Sequence, residues 1–398
     1  MVNAVHQQYD AIVLGGGLVG ASCALALSKA GYAVALLESH YKPADSSAGT
    51  DETTWDSRIY AITPSNQAWL DRLGVWQKLN PERICDIARM QVCGDAQDSQ
   101  LVFNADDAHI RSLGAIVESG ELQQSLWHEL LDSDVTLVTE TEAVARIAGK
   151  QSTQLTMSDG AVLEAALVVG ADGANSWLRA QAGIPLSTHD YGQMGVVANF
   201  ETTLPHHHTA WQWFKRDDGI LAWLPMPGNR MSMVWSAPDR IARGLLELNA
   251  DALSEKVAEA GGYILGDLRN ITAARAFPLV QRTAQHLVKP GMVLVGDAAH
   301  TVHPLAGQGV NLGFRDVQAL LDVLMQGKKR QHIGDYRLLR AYERARKTDI
   351  VAMQTLTRGL AELFGMEHSM MKKLRNWGLG FTDRQHMLKK FLMHQAIR

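Results

Sequence analysis

Apolar residues in this chain gather into short unbroken runs that end at glycine, and into longer stretches with helical or alternating spacing. Ala11 to Leu14 is one such run, closed by Gly15, and reads as a strand buried on both faces in a parallel sheet. From Ala21 to Ala30 the chain is rich in Ala, Leu and Ser and stops at Gly31, the pattern of a helix with a glycine terminus. Tyr32 to Leu37 reads as a second strand, ending in Glu38. Far downstream, Gly291 to Val295 predicts another buried strand. Apolar positions at Val310, Leu312, Val317, Leu320, Leu321 and Leu324 then predict a helix over 309–325. In between, Gly195 to Phe200 and Met231 to Trp235 suit an antiparallel sheet. The tail from about 335 to 398 reads as helical.

The turns between these elements carry the chemistry. Gly15, Gly17 and Gly20 fit Gly-x-Gly-x-x-Gly between a strand and a helix. The first glycine permits the tight turn, the second lets the backbone approach a pyrophosphate, and the third lets helix and strand pack closely. Free N–H groups at the helix start would face the phosphates. Glu38 falls near the offset at which an acid takes the ribose hydroxyls, and an acid there suits an unphosphorylated ribose, so FAD or NAD rather than NADP.

The downstream segment decides between those two. Gly296 and Asp297 stand at the end of the third strand, where a carboxylate can bind a ribityl hydroxyl. Gly307 and Gly309 would aim backbone N–H groups at a ring carbonyl and the pyrophosphate. A nicotinamide domain has no use for such a segment so far downstream; a flavin site does. The simpler alternative, that Asp297 only caps the following helix, leaves the glycines unexplained.

With these segments in hand, the chain resembles the single-component FAD-dependent aromatic hydroxylases related to para-hydroxybenzoate hydroxylase, and within them the ubiquinone-biosynthesis branch. Gly170 to Ser176, with Asp172 and Gly173, is similar to the family's Asp-Gly segment. Gly296 to Gly313 is similar to its flavin-ribityl segment, and Asp56 to Ile62 to its arginine-containing element beside the flavin. Trp211 to Phe214 and Gly219 to Pro225 resemble a strand pair of the substrate domain. Ala274 to Leu279 resembles the strand before the third FAD segment. The likeness runs from about residue 9 to the early 380s. Within the branch, 167–179 and 336–347 look most like the enzyme hydroxylating C5 of a 2-polyprenylphenol.

The resemblance implies an α/β fold with an α+β substrate part: a Rossmann-like FAD-binding domain of the glutathione-reductase type, an inserted antiparallel-sheet substrate domain and a helical C-terminal tail. The FAD-binding domain is expected over 1–75, 110–185 and 275–330, the substrate domain over 76–109 and 186–274, and the tail over 331–398. The implied activity is hydroxylation of a polyprenylated phenol by O₂ through a C4a-hydroperoxyflavin, with electrons from NAD(P)H or another donor. Expected cofactor contacts are Gly15, Gly17, Gly20, Glu38, Arg58, Asp172, Gly296, Asp297, Gly307, Gly309, Val310 and Asn311. Pro304, Leu305 and Arg58 are the candidates at the flavin ring. His300 and His303 lie beside the flavin segment, but neither is assigned as a catalytic base. A same-fold flavin reductase, a hydroxylase of another phenol and a scaffold subunit of a quinone-biosynthesis assembly stay open as alternatives.

Composition narrows the partners. A net charge of −4 gives no case for nucleic acid. Cys23, Cys85 and Cys93 have no metal-ligand spacing and read as reduced thiols of a cytoplasmic protein. His206 to His208 reads as a solvated turn rather than a metal site. Tryptophans 177, 211, 213, 223 and 235 either pack the sheet or wall a pocket, with packing the commoner role. From Met366 onward seven Lys or Arg stand against two acids, among methionines. Such a tail suits contact with anionic lipid at the inner face of a membrane, packing on the FAD domain, or a subunit or complex interface.

Overall fold

A computed structural model describes residues 6–40, 55–94, 100–215, 218–302, 308–327 and 332–365. Along the chain, β1 (His6–Leu14), α1 (Leu18–Lys29) and β2 (Val34–Glu38) come first, then β3 (Ile59–Ile62) and α2 (Pro64–Arg72). Next are β4 (Cys85–Ile87), β5 (Arg89–Cys93), β6 (Gln100–Asn104), β7 (Gly114–Glu118) and α3 (Ser119–Leu131). Then follow β8 (Thr136–Thr139), β9 (Ala143–Ala148), β10 (Thr153–Met157), β11 (Val162–Gly170) and α4 (Trp177–Gln181). The middle of the chain gives β12 (Leu186–Thr202), β13 (Thr209–Lys215), β14 (Gly219–Met226), β15 (Arg230–Pro238), α5 (Asp239–Glu247) and α6 (Ala250–Ala260). The last part holds β16 (Leu268–Asn270), β17 (Arg275–Ala284), β18 (Val288–Lys289), β19 (Met292–Leu294), β20 (His300–Thr301), α7 (Gln308–Gly327) and α8 (Tyr336–Gly365).

Three sheets result among the described residues. The first runs β18-β19-β11-β1-β2-β8, with β10 and β9 folded back from β11. Its apolar runs are parallel strands: β1 pairs with β2 on one side and β11 on the other, and β11 pairs with β19. Register decides where chemistry can occur. Leu14 lies opposite both Leu37 and Gly170, and Gly170 opposite Leu294. The C-terminal ends of four strands therefore finish side by side at the point where the chain order reverses, the place where open α/β sheets bind ligands.

The second sheet, β20-β17-β12-β15-β14-β13-β5-β6, is antiparallel except where β13 meets β5. One of its faces buries Leu221, Trp223, Met233 and Trp235 with Leu245 of α5 and Val257 of α6. Four of the five tryptophans pack here: Trp223 and Trp235 are fully buried in this layer, Trp213 meets Trp223 edge-on at 5.0 Å, and Trp211 lies against the same layer. β17 belongs to this sheet through β12, not to the first. Most of its residues are exposed or half-buried, and a strand of that pattern cannot sit in a sheet covered on both faces. A three-stranded sheet, β3-β7-β4, lies between the two larger ones.

Two local readings change. His206 is 5 % exposed, not solvated: its Nε2–H donates to the carbonyls of Met226 and Gly228, and Nδ1 accepts from His208 N–H. Burial pushes its imidazole below the usual value. The tail forms one helix as far as Gly365, and the basic stretch from Met366 lies outside the described residues. No described helix is long and apolar enough to cross a membrane.

Candidate active site

The glycine turn after β1 is shaped by what surrounds it. Gly15 has φ +96°, and a Cβ there would lie 2.5 Å from the Ala171 carbonyl oxygen. At Gly20 a Cβ would fall 1.8 Å from the Gly15 carbonyl oxygen, so α1 can approach β1 only with glycine. Gly17 is the opposite case: nothing lies within 4 Å of a Cβ built there, and it faces a cavity. The Gly16 peptide is clamped. Its N–H donates to Glu38 at 2.7 Å, and its carbonyl accepts from Gln123 at 2.6 Å and Trp127 at 3.0 Å. Those bonds hold the start of α1, whose first N–H groups have no partner within the helix, towards the cavity. Glu38 also accepts from His40 N–H, so its carboxylate holds the turn and retains lone pairs for a ligand.

The second motif is latched to the third. Arg179, 7 % exposed, donates to the carbonyls of Ala174 and Ala298, both at 2.9 Å. Asp172 Oδ2 accepts from Leu178 N–H at the start of α4, while Oδ1 is buried with no partner among the described residues. Gly173, at φ +79°, lines the cavity.

At the end of β19, Asp297 opens onto the cavity, while the protein around it desolvates the carboxyl. That desolvation holds it above its ordinary value against the attraction of His300, Arg58 and Arg282. The carboxylate that fixes this turn is another one. Asp316 of α7, fully buried, accepts from Gly296 N–H at 2.9 Å, from His300 Nε2 at 2.6 Å and from Arg346 Nε of α8 at 2.6 Å. Burial raises the Asp316 carboxyl, but His300 and Arg346 outweigh it and hold the group below its ordinary value. His300 is thus a structural partner, and Asp297 is left free of the capping role.

Not all predicted contacts reach the cavity with their side chains. Gly309 and Val310 line it at the start of α7. Asn311 does not: its Oδ1 accepts from Thr63 N–H and Asn66, and its Nδ2 donates to the Ala61 carbonyl. That buried carboxamide ties α7 to β3 and α2. Arg58 lines the cavity with its guanidinium 5.4 Å from the Tyr60 ring centroid. Asp56 bonds the backbone N–H groups of Arg58 and Gly120 rather than the Arg58 side chain, and the loop is held further by Glu118 and Asn199. His303, Pro304, Leu305 and Gly307 lie outside the described residues.

One cavity of about 680 Å³ joins Gly17, Arg58, Gly173, Asp297, Gly309 and Val310, while Gly15, Gly20, Glu38, Asp172 and Gly296 stand behind its lining. It extends from Gly17, Gly173, Asp297 and Gly309 to the second sheet, where Ala222, Leu224 and Val234 face it. The open cradle at Gly17, the Asp297 carboxyl on the cavity and the cavity-facing start of α7 fit a dinucleotide with a ring system at its inner end.

Comparison with known proteins agrees. A family model described as an FAD binding domain matches residues 8–358. The chain is 36% identical over 395 residues to 3-demethoxyubiquinol 3-hydroxylase of Escherichia coli, covering 98% of this chain and 99% of that one. It is 33% identical to ubiquinone hydroxylase UbiL of Rhodospirillum rubrum, covering 98% and 89%.

The chain belongs to the FAD-binding monooxygenase family.

Within that family it falls in the ubiquinone-biosynthesis hydroxylase branch, and it is an FAD-dependent aromatic hydroxylase. Flavin monooxygenases use NAD(P)H and O₂ as co-substrates. The fold is shared with p-nitrophenol 4-monooxygenase PnpA of Pseudomonas putida (TM-score 0.77, 17% identity, 98% of both chains). It is also shared with PqsL of P. aeruginosa in complex with 2-aminobenzoylacetate (TM-score 0.78, 21% identity, 94% and 100%). In this FAD-binding monooxygenase, sequence reasoning missed Asp316, Arg346, Gln123 and Trp127. Gln123, Trp127 and Asp316 act on the site through a backbone group of another segment and Arg346 through the Asp316 carboxylate, and only the tertiary pairing reveals that.

Proposed function

We propose that this enzyme hydroxylates the aromatic ring of a polyprenylated phenol on the way to ubiquinone. The observation that carries the reading is the continuous cavity, which runs from Gly17, Asp297 and Gly309 to Ala222, Leu224 and Val234 on the second sheet. In this reading Glu38 takes the adenosine ribose and Gly17 the pyrophosphate. Asp297 takes a ribityl hydroxyl, and the N–H groups of Gly309 and Val310 face the flavin ring. Gly15 and Gly20 shape the turn, Asp172 and Gly296 complete the edge, and Arg58 stands at the ring with Tyr60. Pro304, Leu305 and Gly307, outside the described residues, are proposed as further contacts of the flavin. When bound, FAD supplies the activation of O₂. The protein's share is to exclude water with the apolar sheet face, orient the ring, and stabilise charge near the flavin with Arg58 and the α7 N-terminus. The first sheet with its helices then serves as the FAD-binding domain and the second as the substrate domain. The basic tail from Met366 is proposed to meet anionic lipid, where a polyprenylated substrate resides.

The ring carbon has two readings. The sequence resemblance favours C5, whereas the 36% identity to a protein named 3-demethoxyubiquinol 3-hydroxylase favours position 3. Profiling quinone precursors in cells lacking the gene, with and without the gene restored, separates them. A precursor lacking the C5 oxygen supports the first; a demethoxy precursor supports the second. An unchanged quinone pool contradicts both.

A further inference from the structure

We propose that Gln212 is a specificity-determining residue that hydrogen-bonds an oxygen substituent of the substrate ring and so selects an uncharged, oxygenated ring. The inference rests on the reading that the cavity receives a phenolic ring, and it names the group that orients that ring.

The placement follows from strand alternation. Trp211 and Trp213 of β13 pack towards α5 and α6, so Gln212 points to the opposite face of the second sheet. Cross-strand register continues that face. Gln212 lies opposite Ala222 of β14, Ala222 opposite Val234 of β15, and Val234 opposite Val197 of β12; all four line the cavity. On its other side Gln212 is beside Val92 of β5. A polar side chain thus stands in a row of apolar neighbours, with a small alanine next to it and room for a flat ring.

Gln212 is 6 % exposed, and its carboxamide makes no hydrogen bond among the described residues. A carboxamide carries two donors and an acceptor oxygen, and buried polar groups are nearly always bonded. One that is unpaired and faces a cavity points to a ligand that completes it. The chemistry of the partner follows from charge. An amide suits a hydroxyl, carbonyl or ether oxygen, whereas a ring carboxylate is matched by a guanidinium. The cations lining the cavity are Arg58 and Arg282, both within electrostatic reach of Asp297 and hence at the dinucleotide end. Among the described residues, the sheet face around Gln212 offers none.

The test uses FAD-loaded enzyme titrated with 2-prenylphenol and with prenylbenzene, which lacks the ring hydroxyl, read through the flavin absorption spectrum. Wild type should bind the phenol roughly tenfold more tightly than prenylbenzene, the effect of one buried neutral hydrogen bond. Gln212→Met should abolish that preference by weakening the phenol alone, with FAD content unchanged and the substrate KM raised more than kcat is lowered. Gln212→Ala serves as the second variant should the Met variant lose FAD. Retained preference in a variant lacking the amide, or an equal loss for both ligands, overturns the assignment. If wild type binds neither ligand, the phenol reading itself fails and the assignment falls with it.

Discussion

Two carboxylates meet at the turn after β19, one open to the cavity and one fully buried, and their surroundings drive them in opposite directions. Asp297 has desolvation against it and no hydrogen-bonding partner among the described residues, which leaves it for a ligand. We expect Asp297→Ala to lower FAD occupancy of the purified protein at least tenfold, roughly the loss of one hydrogen bond to a charged group, while thermal unfolding of the apoprotein barely moves. Gly17→Val should also lose FAD, because the open space beside Gly17 would be filled. Retention of a full complement of FAD by Gly17→Val would show that the cofactor phosphates lie elsewhere. These residues were legible because their spacing is local. What local spacing does not carry is a side chain's partner: Asn311 sits in the glycine-rich segment, and its carboxamide is spent on Thr63, Asn66 and Ala61.

At the scale of elements, α7 and α8 are fastened to the dinucleotide edge by the His300–Asp316–Arg346 cluster. Removing one partner of a buried charge pair costs about 3–5 kcal/mol, so Asp316→Asn should lower stability by that order in urea unfolding. The pH dependence has a definite sign. Because the folded carboxyl is held below its ordinary value, its stabilisation is present above the unfolded value, about pH 4, and fades as pH falls through the folded one. The gap between wild type and Asp316→Asn should accordingly be full near neutral pH and shrink on acidification below about pH 4. A gap that widens in acid would contradict the assignment. Strands β1, β2 and β19 and helices α1 and α7 were legible from apolar runs and glycine stops, since a strand covered on both faces leaves a short unbroken apolar run that its length and flanking glycines identify. The membership of β17 was not, because a half-exposed strand beside a motif gives no sign of which sheet it will join.

For the whole molecule, the sequence carries three motifs far apart, and the register Leu14–Gly170–Leu294 is what makes them one edge. That register also explains how one cavity can reach both sheets, which no local pattern contains. The cavity is proposed to hold FAD beside an uncharged phenolic ring, which the enzyme hydroxylates. The most direct measurement supplies FAD-loaded enzyme with NAD(P)H, a polyprenylphenol and ¹⁸O₂, and follows oxygen uptake alongside the product's mass. The phenol should accelerate uptake, and the product ring should carry one labelled oxygen atom. NAD(P)H consumption with an unlabelled or unchanged ring would contradict it.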